Sequence, residues 1–234
     1  DVGLELRGDL RNLLLLWRAG VRVRLGYGIT GGGFLLHRCL ALPAGRHEVE
    51  RDLAVAAAAG ADFTPQAYTP LALSPEELAE GRGAWQGAGP KVVVHPAAGD
   101  PAKRWPAGRF ARVCAALADA GCEILLVGTA PERTVAEDAA AGVTGVRNLA
   151  GRTSLRALAA LISAADLLIG NDSGPAHLAL TQGIPAVLVW SETNAPEEWG
   201  PWGEGCRARV IRQPEREEAV AETVAAALSF LPRR

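Results

Sequence analysis

Lys91-Val92-Val93-Val94-His95 and, further on, Leu167-Leu168-Ile169-Gly170-Asn171-Asp172-Ser173-Gly174-Pro175 decide how this chain folds. Uninterrupted Val, Leu and Ile runs of this length read as strands buried on both faces, the pattern of a parallel sheet rather than of a half-solvated antiparallel one. Working outward, the pattern predicts helices over 110–120, 131–141, 155–163, 175–182 and 215–231. Further strands fall at 123–127, 145–149 and 186–190. Leu155, Leu158 and Ile162 recur at helical spacing, and Pro175 suits the first position of its helix. Strand and helix alternating in this way predict an α/β fold with a Rossmann-like parallel sheet covered on both faces.

Upstream, Val2-Gly3-Leu4-Glu5-Leu6 reads as a short strand, followed by Asp9 as a cap for an apolar helix over 10–18. A second strand is predicted at 21–25, a glycine-rich loop at 26–33 and a helix at 46–59. Residues 60–90 collect Pro, Gly and Thr around one acidic helix after Ser74-Pro75, which places a domain break there: 1–88 and 91–234. With 234 residues, 49% hydrophobic side chains and a net charge of -2, the composition excludes a disordered or collagen-like chain. It also argues against a dedicated nucleic-acid binder. No apolar run reaches the ~18 residues of a membrane span. The four cysteines lack zinc-site or disulfide-framework spacing, so reduced thiols in a cytoplasmic protein are expected. The chain has no methionine, as expected of a fragment or processed chain.

Ligands of parallel α/β sheets bind beyond the carboxyl ends of the strands. Four loops there carry chemistry. The first, His95 to Pro106, has small residues for close backbone approach and brings Lys103-Arg104 to the mouth of the sheet; a solvated basic turn over a buried Trp105 is the alternative. The second, Val127 to Arg133, puts Glu132 where it can accept from ribose hydroxyls or simply complement a helix dipole. In the third, Thr153 or Ser154 caps a helix while the loop can meet a nucleotide base. The fourth, Gly170 to His177, combines a tight turn with the unpaired N–H groups of a helix start, an anion site. His177 can reach that anion and Asp172 a sugar hydroxyl; the alternative makes Asp172 a cap and His177 a core residue. No G-x-S-x-G elbow surrounds Ser173, which argues against a Ser-His-Asp hydrolase, and Gly31-Gly32-Gly33 lacks the Gly-Lys-Ser/Thr of a Walker loop.

Three motifs taken together resemble glycosyltransferase family 9, the bacterial ADP-heptose:lipopolysaccharide heptosyltransferases. They are His95-Pro96-x-Ala98-Gly99 followed by Lys103-Arg104-Trp105-Pro106, Asn148 to Leu155, and Asn171-Asp172-Ser173-Gly174-Pro175-Ala176-His177-Leu178-Ala179. The segment from Asp1 to Asp9, Arg24 to Tyr27 and His47 to Glu50 are similar to features of the family's acceptor domain, so the resemblance covers essentially the whole chain. It implies a GT-B type architecture of two Rossmann-like domains. Residues 1–88 would be the C-terminal part of the acceptor-binding domain and 91–234 the nucleotide-sugar donor domain. The aspartate proposed as catalytic base in the family would lie upstream of Asp1, and Asp9 does not take that role.

By the same resemblance Lys103 would neutralise the donor diphosphate. Ser173 and Gly174 would bind phosphate through backbone N–H groups, and Asp172 would contact the heptose. Glu132 would hold the ribose, Thr153 would sit at the adenine loop, and His177 would lie beside the diphosphate. Lys103 and Asp172 are thus the expected catalytic residues. Ala97 and Ala98 stand where many members carry hydroxyls, leaving backbone donors, and Ala176 replaces a larger apolar residue. The implied reaction is inverting, metal-independent transfer of heptose from ADP-heptose to a lipid A-core acceptor, without a cofactor. A monomer at the cytoplasmic face of the inner membrane is expected. The alternatives are another nucleotide-sugar transferase or epimerase on this fold, or a donor-binding fragment without turnover.

Overall fold

The computed structural model describes residues 1–62, 69–212 and 215–232. By contacts the chain divides into two units, Asp1–Pro65 with Glu197–Trp202, and Gln66–Pro196 with Gly203–Arg234.

In the first unit, β1 (Val2–Glu5), β2 (Val23–Gly26) and β3 (Arg38–Cys39) pair in parallel in that order. Between β1 and β2 lies α1 (Leu10–Arg18), which Asp9 caps by accepting from the Arg11 N–H as the sequence predicts. α2 (Glu48–Ala58) follows β3; its start is fixed by His47, which accepts from the Val49 N–H. Arg51 ties α2 to Glu48 and to Glu198 on the returning segment, and the Tyr27 hydroxyl donates to the Arg51 carbonyl.

The second unit holds, among the described residues, a six-stranded parallel sheet built from β4 (Lys91–His95), β5 (Glu123–Leu126), β6 (Val146–Asn148), β7 (Leu167–Asn171), β8 (Ala186–Trp190) and β9 (Ala208–Arg212). Its order is β6-β5-β4-β7-β8-β9. The first strand of the unit therefore sits in the middle and the chain winds outward in both directions, the doubly wound order in which ligands bind where the direction reverses. That switch point lies between β4 and β7, with His95 paired to Gly170. A Cβ on Gly170 would stand 2.9 Å from the His95 carbonyl oxygen, so glycine permits this register.

One face of the sheet is covered by α4 (Ala107–Asp119), α5 (Arg133–Ala139) and α9 (Ala219–Phe230). Phe110, Val113, Cys114 and Leu117 of α4 recur at i, i+3, i+4 and i+7 and are fully buried with Val92, Val94, Ile124 and Leu126. Burial pushes the Cys114 thiol up to about 12. Trp105 stacks edge-on against Phe110, centroids 5.1 Å apart, so the buried tryptophan expected after the first loop anchors it.

α3 (Pro75–Gly83) packs against α6 (Leu155–Ser163) so closely that a Cβ on Gly81 would lie 2.2 Å from the Ala160 carbonyl oxygen. Trp85 donates to the buried Leu161 carbonyl, and Arg156 pairs with Glu77 at 2.6 Å. The division by contacts therefore falls upstream of the 88–91 break read from composition, because the acidic helix belongs with the second unit. α7 (Gly174–Thr181) joins β7 to β8, and the short α8 (Pro196–Trp199) precedes β9. Two strands were not anticipated from sequence, β3 and β9. α4 begins three residues earlier than predicted, after Pro106, and the last helix begins at Ala219 rather than 215.

Candidate functional site

Every residue expected at the donor site lies in the second unit, at the carboxyl ends of β4, β5 and β7 or in the 149–155 loop. A cavity of about 330 Å³ opens there, lined among others by His95, Gly99, Thr129, Glu132, Thr153, Leu155, Ser173 and Gly174. Of the predicted residues, Glu132, Thr153, Ser173 and Gly174 line it. Lys103, Asp172 and His177 form a separate polar cluster on the same loops. Ala98 is buried behind Gly99, and its carbonyl accepts from Arg104 at 2.8 Å. Of the basic pair, Arg104 thus turns back on its own loop while Lys103 faces Asp172.

Asn171 holds the first and fourth loops together. Fully buried at the end of β7, it donates to the Pro96 and Ala97 carbonyls at 2.9 and 3.2 Å and accepts from the Trp105 N–H at 3.0 Å. A buried amide with both ends satisfied is a rigid cross-link. Beside it, the Asp172 carboxylate gathers three donors: Lys103 Nζ at 2.5 Å, Asn194 Nδ2 at 3.0 Å and His177 Nε2 at 3.5 Å. Burial alone would raise the Asp172 carboxyl, but His177, Lys103 and Asn194 outweigh it and hold it at about 2. Asp172 is an anion here and does not cap α7.

Ser173, extended at φ -161°, makes no side-chain cap to α7 either. Its Oγ donates to the Asn171 carbonyl at 3.1 Å and lies 3.0 Å from His95 Nδ1. The backbone donors at the start of α7 thus receive no side chain from the N-cap residue, as an anion site requires.

Glu132 closes the short 3-10 turn Ala130–Glu132: its Oε2 accepts from the Thr129 N–H at 2.7 Å and hydroxyl at 2.9 Å. His95 Nε2 stands 3.6 Å from the same oxygen. His95 above all, and then the Thr129 donors, hold this carboxyl at about 2 against the effect of burial. Glu132 thus completes a capping box with Thr129, a local role beyond the dipole complementation read from sequence, and all these contacts use one oxygen of the pair. In the third loop Ser154, not Thr153, caps α6 by accepting from the Ala157 N–H. Both line the cavity, Thr153 without a capping role, beside a Leu155 that is 72% exposed. Gly151, at φ +74°, lets this loop close to within van der Waals contact of Ala130.

Sequence reasoning assigned no role to His95, Asn171 or Asn194. His95 and Asn171 carried a usable signal, a polar residue ending an otherwise apolar buried strand. Among the described residues no set of three His, Cys, Asp or Glu side chains has metal-binding geometry.

Fold and site together define a class: a doubly wound parallel α/β unit with a largely apolar cavity, carrying a few convergent polar groups, at its switch point. The chain belongs to glycosyltransferase family 9 (heptosyltransferase), whose family model matches residues 1–227. Lipopolysaccharide heptosyltransferase 2 of Escherichia coli (strain K12) is 33% identical over 117 residues, which is 48% of this chain and 33% of that protein. The matched stretch is therefore about a third of that relative's length. Among solved structures, a family 9 glycosyl transferase from Veillonella parvula DSM 2008 superposes with a TM-score of 0.84 at 20% identity, covering 98% of this chain and 73% of that one. The E. coli ADP-heptose lps heptosyltransferase II gives a TM-score of 0.81 at 25% identity, covering 98% and 75%. The α/β class with parallel sheets expected from sequence is the fold of these structures.

Proposed function

We propose that the chain is the greater part of a glycosyltransferase that moves heptose from ADP-heptose to a lipid A-core oligosaccharide, with inversion and without a metal. The carrying observation is the placement of a few polar groups at the two ends of a largely apolar cavity. Glu132 and Thr153, with the exposed Leu155 as an apolar platform, suit a ribose and a flat base. Ser173 and Gly174 at the start of α7, with Lys103 nearby, suit a diphosphate. The E. coli relative named for ADP-heptose supports the choice of donor.

In this reading residues 91–234 bind the donor and 1–88 contribute to acceptor binding. Asp172 orients Lys103 and meets the transferred sugar, while His177 lies beside the diphosphate. Backbone N–H groups of the first loop, at Ala98 and Gly99, approach the same anion. As the glycosidic bond to the diphosphate breaks, charge builds on the leaving oxygen, and Lys103 with the α7 start stabilises it. One such preorganised donor is worth about 3–4 kcal/mol.

Calorimetric titration of the chain with ADP, ADP-heptose and UDP-glucose tests the donor site. Preferential ADP binding, strongly weakened by Lys103→Ala, is expected. Equal or tighter UDP-glucose binding would move the reading to another nucleotide-sugar transferase. Loss of transfer in the intact enzyme carrying Lys103→Ala is the corresponding catalytic outcome, and an unchanged rate would remove Lys103 from the mechanism.

A lipid acceptor also calls for contact with a membrane surface. Among the described residues no helix is long and apolar enough to cross one. α1 exposes Leu14, Leu15 and Trp17 next to Arg18, apolar and cationic groups that suit an anionic bilayer surface. Flotation with phosphatidylglycerol-containing vesicles, abolished by Leu15→Glu with Trp17→Glu and absent with neutral vesicles, is expected. Equal flotation of the double variant would rule this face out.

A further inference from the structure

His95 ends the central strand β4 and is only 3% exposed, yet both ring nitrogens face the cavity's polar groups. Nδ1 is 3.0 Å from Ser173 Oγ on the β7–α7 joint, and Nε2 is 3.6 Å from Glu132 Oε2 on the β5–α5 joint. Alternation along β4 puts His95 on the sheet face opposite Val92 and Val94, whose side chains belong to the core with α4. A core histidine satisfied by chance would meet backbone carbonyls. This one instead joins two side chains from different loops, which the proposed function places at opposite ends of the nucleotide.

Proton inventory gives the link a direction. A carboxylate only accepts, so a ring proton on Nε2 faces Glu132 across 3.6 Å, a separation slightly longer than a formed hydrogen bond. With the ring proton on Nε2, Nδ1 is an acceptor, and it shares the single Ser173 hydroxyl proton, whose oxygen is 3.0 Å away, with the Asn171 carbonyl at 3.1 Å. A ring turned by the Glu132 carboxylate therefore sets where Ser173 Oγ stands. A carboxylate displaced by a ribose hydroxyl would shift it.

We infer that His95 is a positioning residue that couples the ribose-side carboxylate Glu132 to the phosphate-side hydroxyl Ser173, so that the two ends of a nucleoside diphosphate are gripped cooperatively. This rests on the reading of the cavity as the donor nucleotide site. It predicts more than the sum of two independent contacts. Glu132→Gln and Ser173→Ala should not have additive effects on ADP affinity while His95 is present. Asparagine at 95 places an amide oxygen near the position of Nδ1, which keeps an acceptor for the Ser173 hydroxyl, but is too short to reach Glu132, so it keeps one link and breaks the other.

The test is calorimetric titration with ADP of the unmodified chain, Glu132→Gln, Ser173→Ala and their combination, repeated in the His95→Asn background. The expected result is a departure from additivity of about threefold to tenfold in Kd with His95 that vanishes in His95→Asn. A merely structural histidine would weaken all four proteins alike and leave the coupling as it was. Additive effects in both backgrounds, or coupling that survives His95→Asn, overturn the proposal while ADP binding itself leaves the donor site standing. Failure of the unmodified chain to bind ADP removes the donor-site reading and the coupling with it.

A second measurement needs no His95 variant and so does not depend on its folding. The chain has four histidines, so the ring 15N resonances of the unmodified chain can be assigned and followed during ADP addition. Movement of both His95 ring nitrogens is expected, and unmoved resonances at saturating ADP overturn the coupling.

Discussion

Asp172 is the residue on which most of the site's charge converges. It is an anion because Lys103, His177 and Asn194 surround it, and they stay where they are because it is an anion. Asp172→Asn keeps the shape and removes the charge, leaving Lys103 beside a neutral amide. Since the Lys103 side chain is only 25% exposed, part of its desolvation is then uncompensated. Urea unfolding should show a loss of about 1–3 kcal/mol, below the cost of splitting a fully buried pair because Lys103 can turn toward water. No loss would mean that the pair contributes nothing to the fold. Lys103, Asp172 and Ser173 were legible in the sequence because charged and hydroxylic types follow apolar strands at short range. The cross-links that fix them were not. Asn171 meets residues 66 to 75 positions away, and His95 meets Ser173 across 78, distances over which local pattern carries no information.

At the scale of elements, the loop before α6 separates two jobs that residue type alone left tied. Thr153 and Ser154 are both acceptable caps and both line the cavity, but only Ser154 Oγ is committed to the Ala157 N–H. Ser154→Ala should therefore cost about 1 kcal/mol of stability with little change in ADP affinity. Thr153→Ala should do the reverse, weakening ADP binding while the melting temperature stays within a degree or two. Melting curves paired with ADP titrations read both, and interchange of the two outcomes would exchange the roles. The strands of the doubly wound sheet were legible because burial on both faces demands unbroken apolar runs. β3 was not, having two residues, both exposed. β9 lies at the sheet edge, where Arg209 and Arg212 flank Val210 and Ile211 and dilute the apolar signal. α4 starts early because Pro106, fixed at φ -54°, leads directly into helical backbone, whereas apolar periodicity becomes visible only at Phe110.

Over the whole molecule, the titrating carboxylates with resolved shifts pull mostly one way. Asp9, Glu76, Glu77, Glu123, Glu132, Asp172 and Glu217 are lowered, whereas Asp52 is raised by burial and then by Glu48. Asp9, Glu77 and Glu217 pair with arginines near the surface, where solvent and salt screen most of the gain. Glu123, Glu132 and Asp172 are better shielded, and all three belong to the second unit. A carboxyl lowered in the folded state contributes stability that is complete above its unfolded value and is lost as pH falls through its folded value. For Glu132 and Asp172 that window runs from 4.5 and 3.8 down to about 2. Asp52 acts oppositely, adding stability at low pH that is lost as pH rises, so it offsets part of one neighbour and cannot reverse the sum. The melting temperature should therefore fall steadily as pH is lowered from about 5 to 3. Glu132→Gln with Asp172→Asn should start from a lower melting temperature and yet show a shallower slope across the same interval, because those positions no longer titrate. An unchanged slope would place the acid sensitivity at the arginine-paired surface carboxylates instead. Repeating the series in 0.5 M salt separates the two, since screening flattens a surface contribution and spares a buried one.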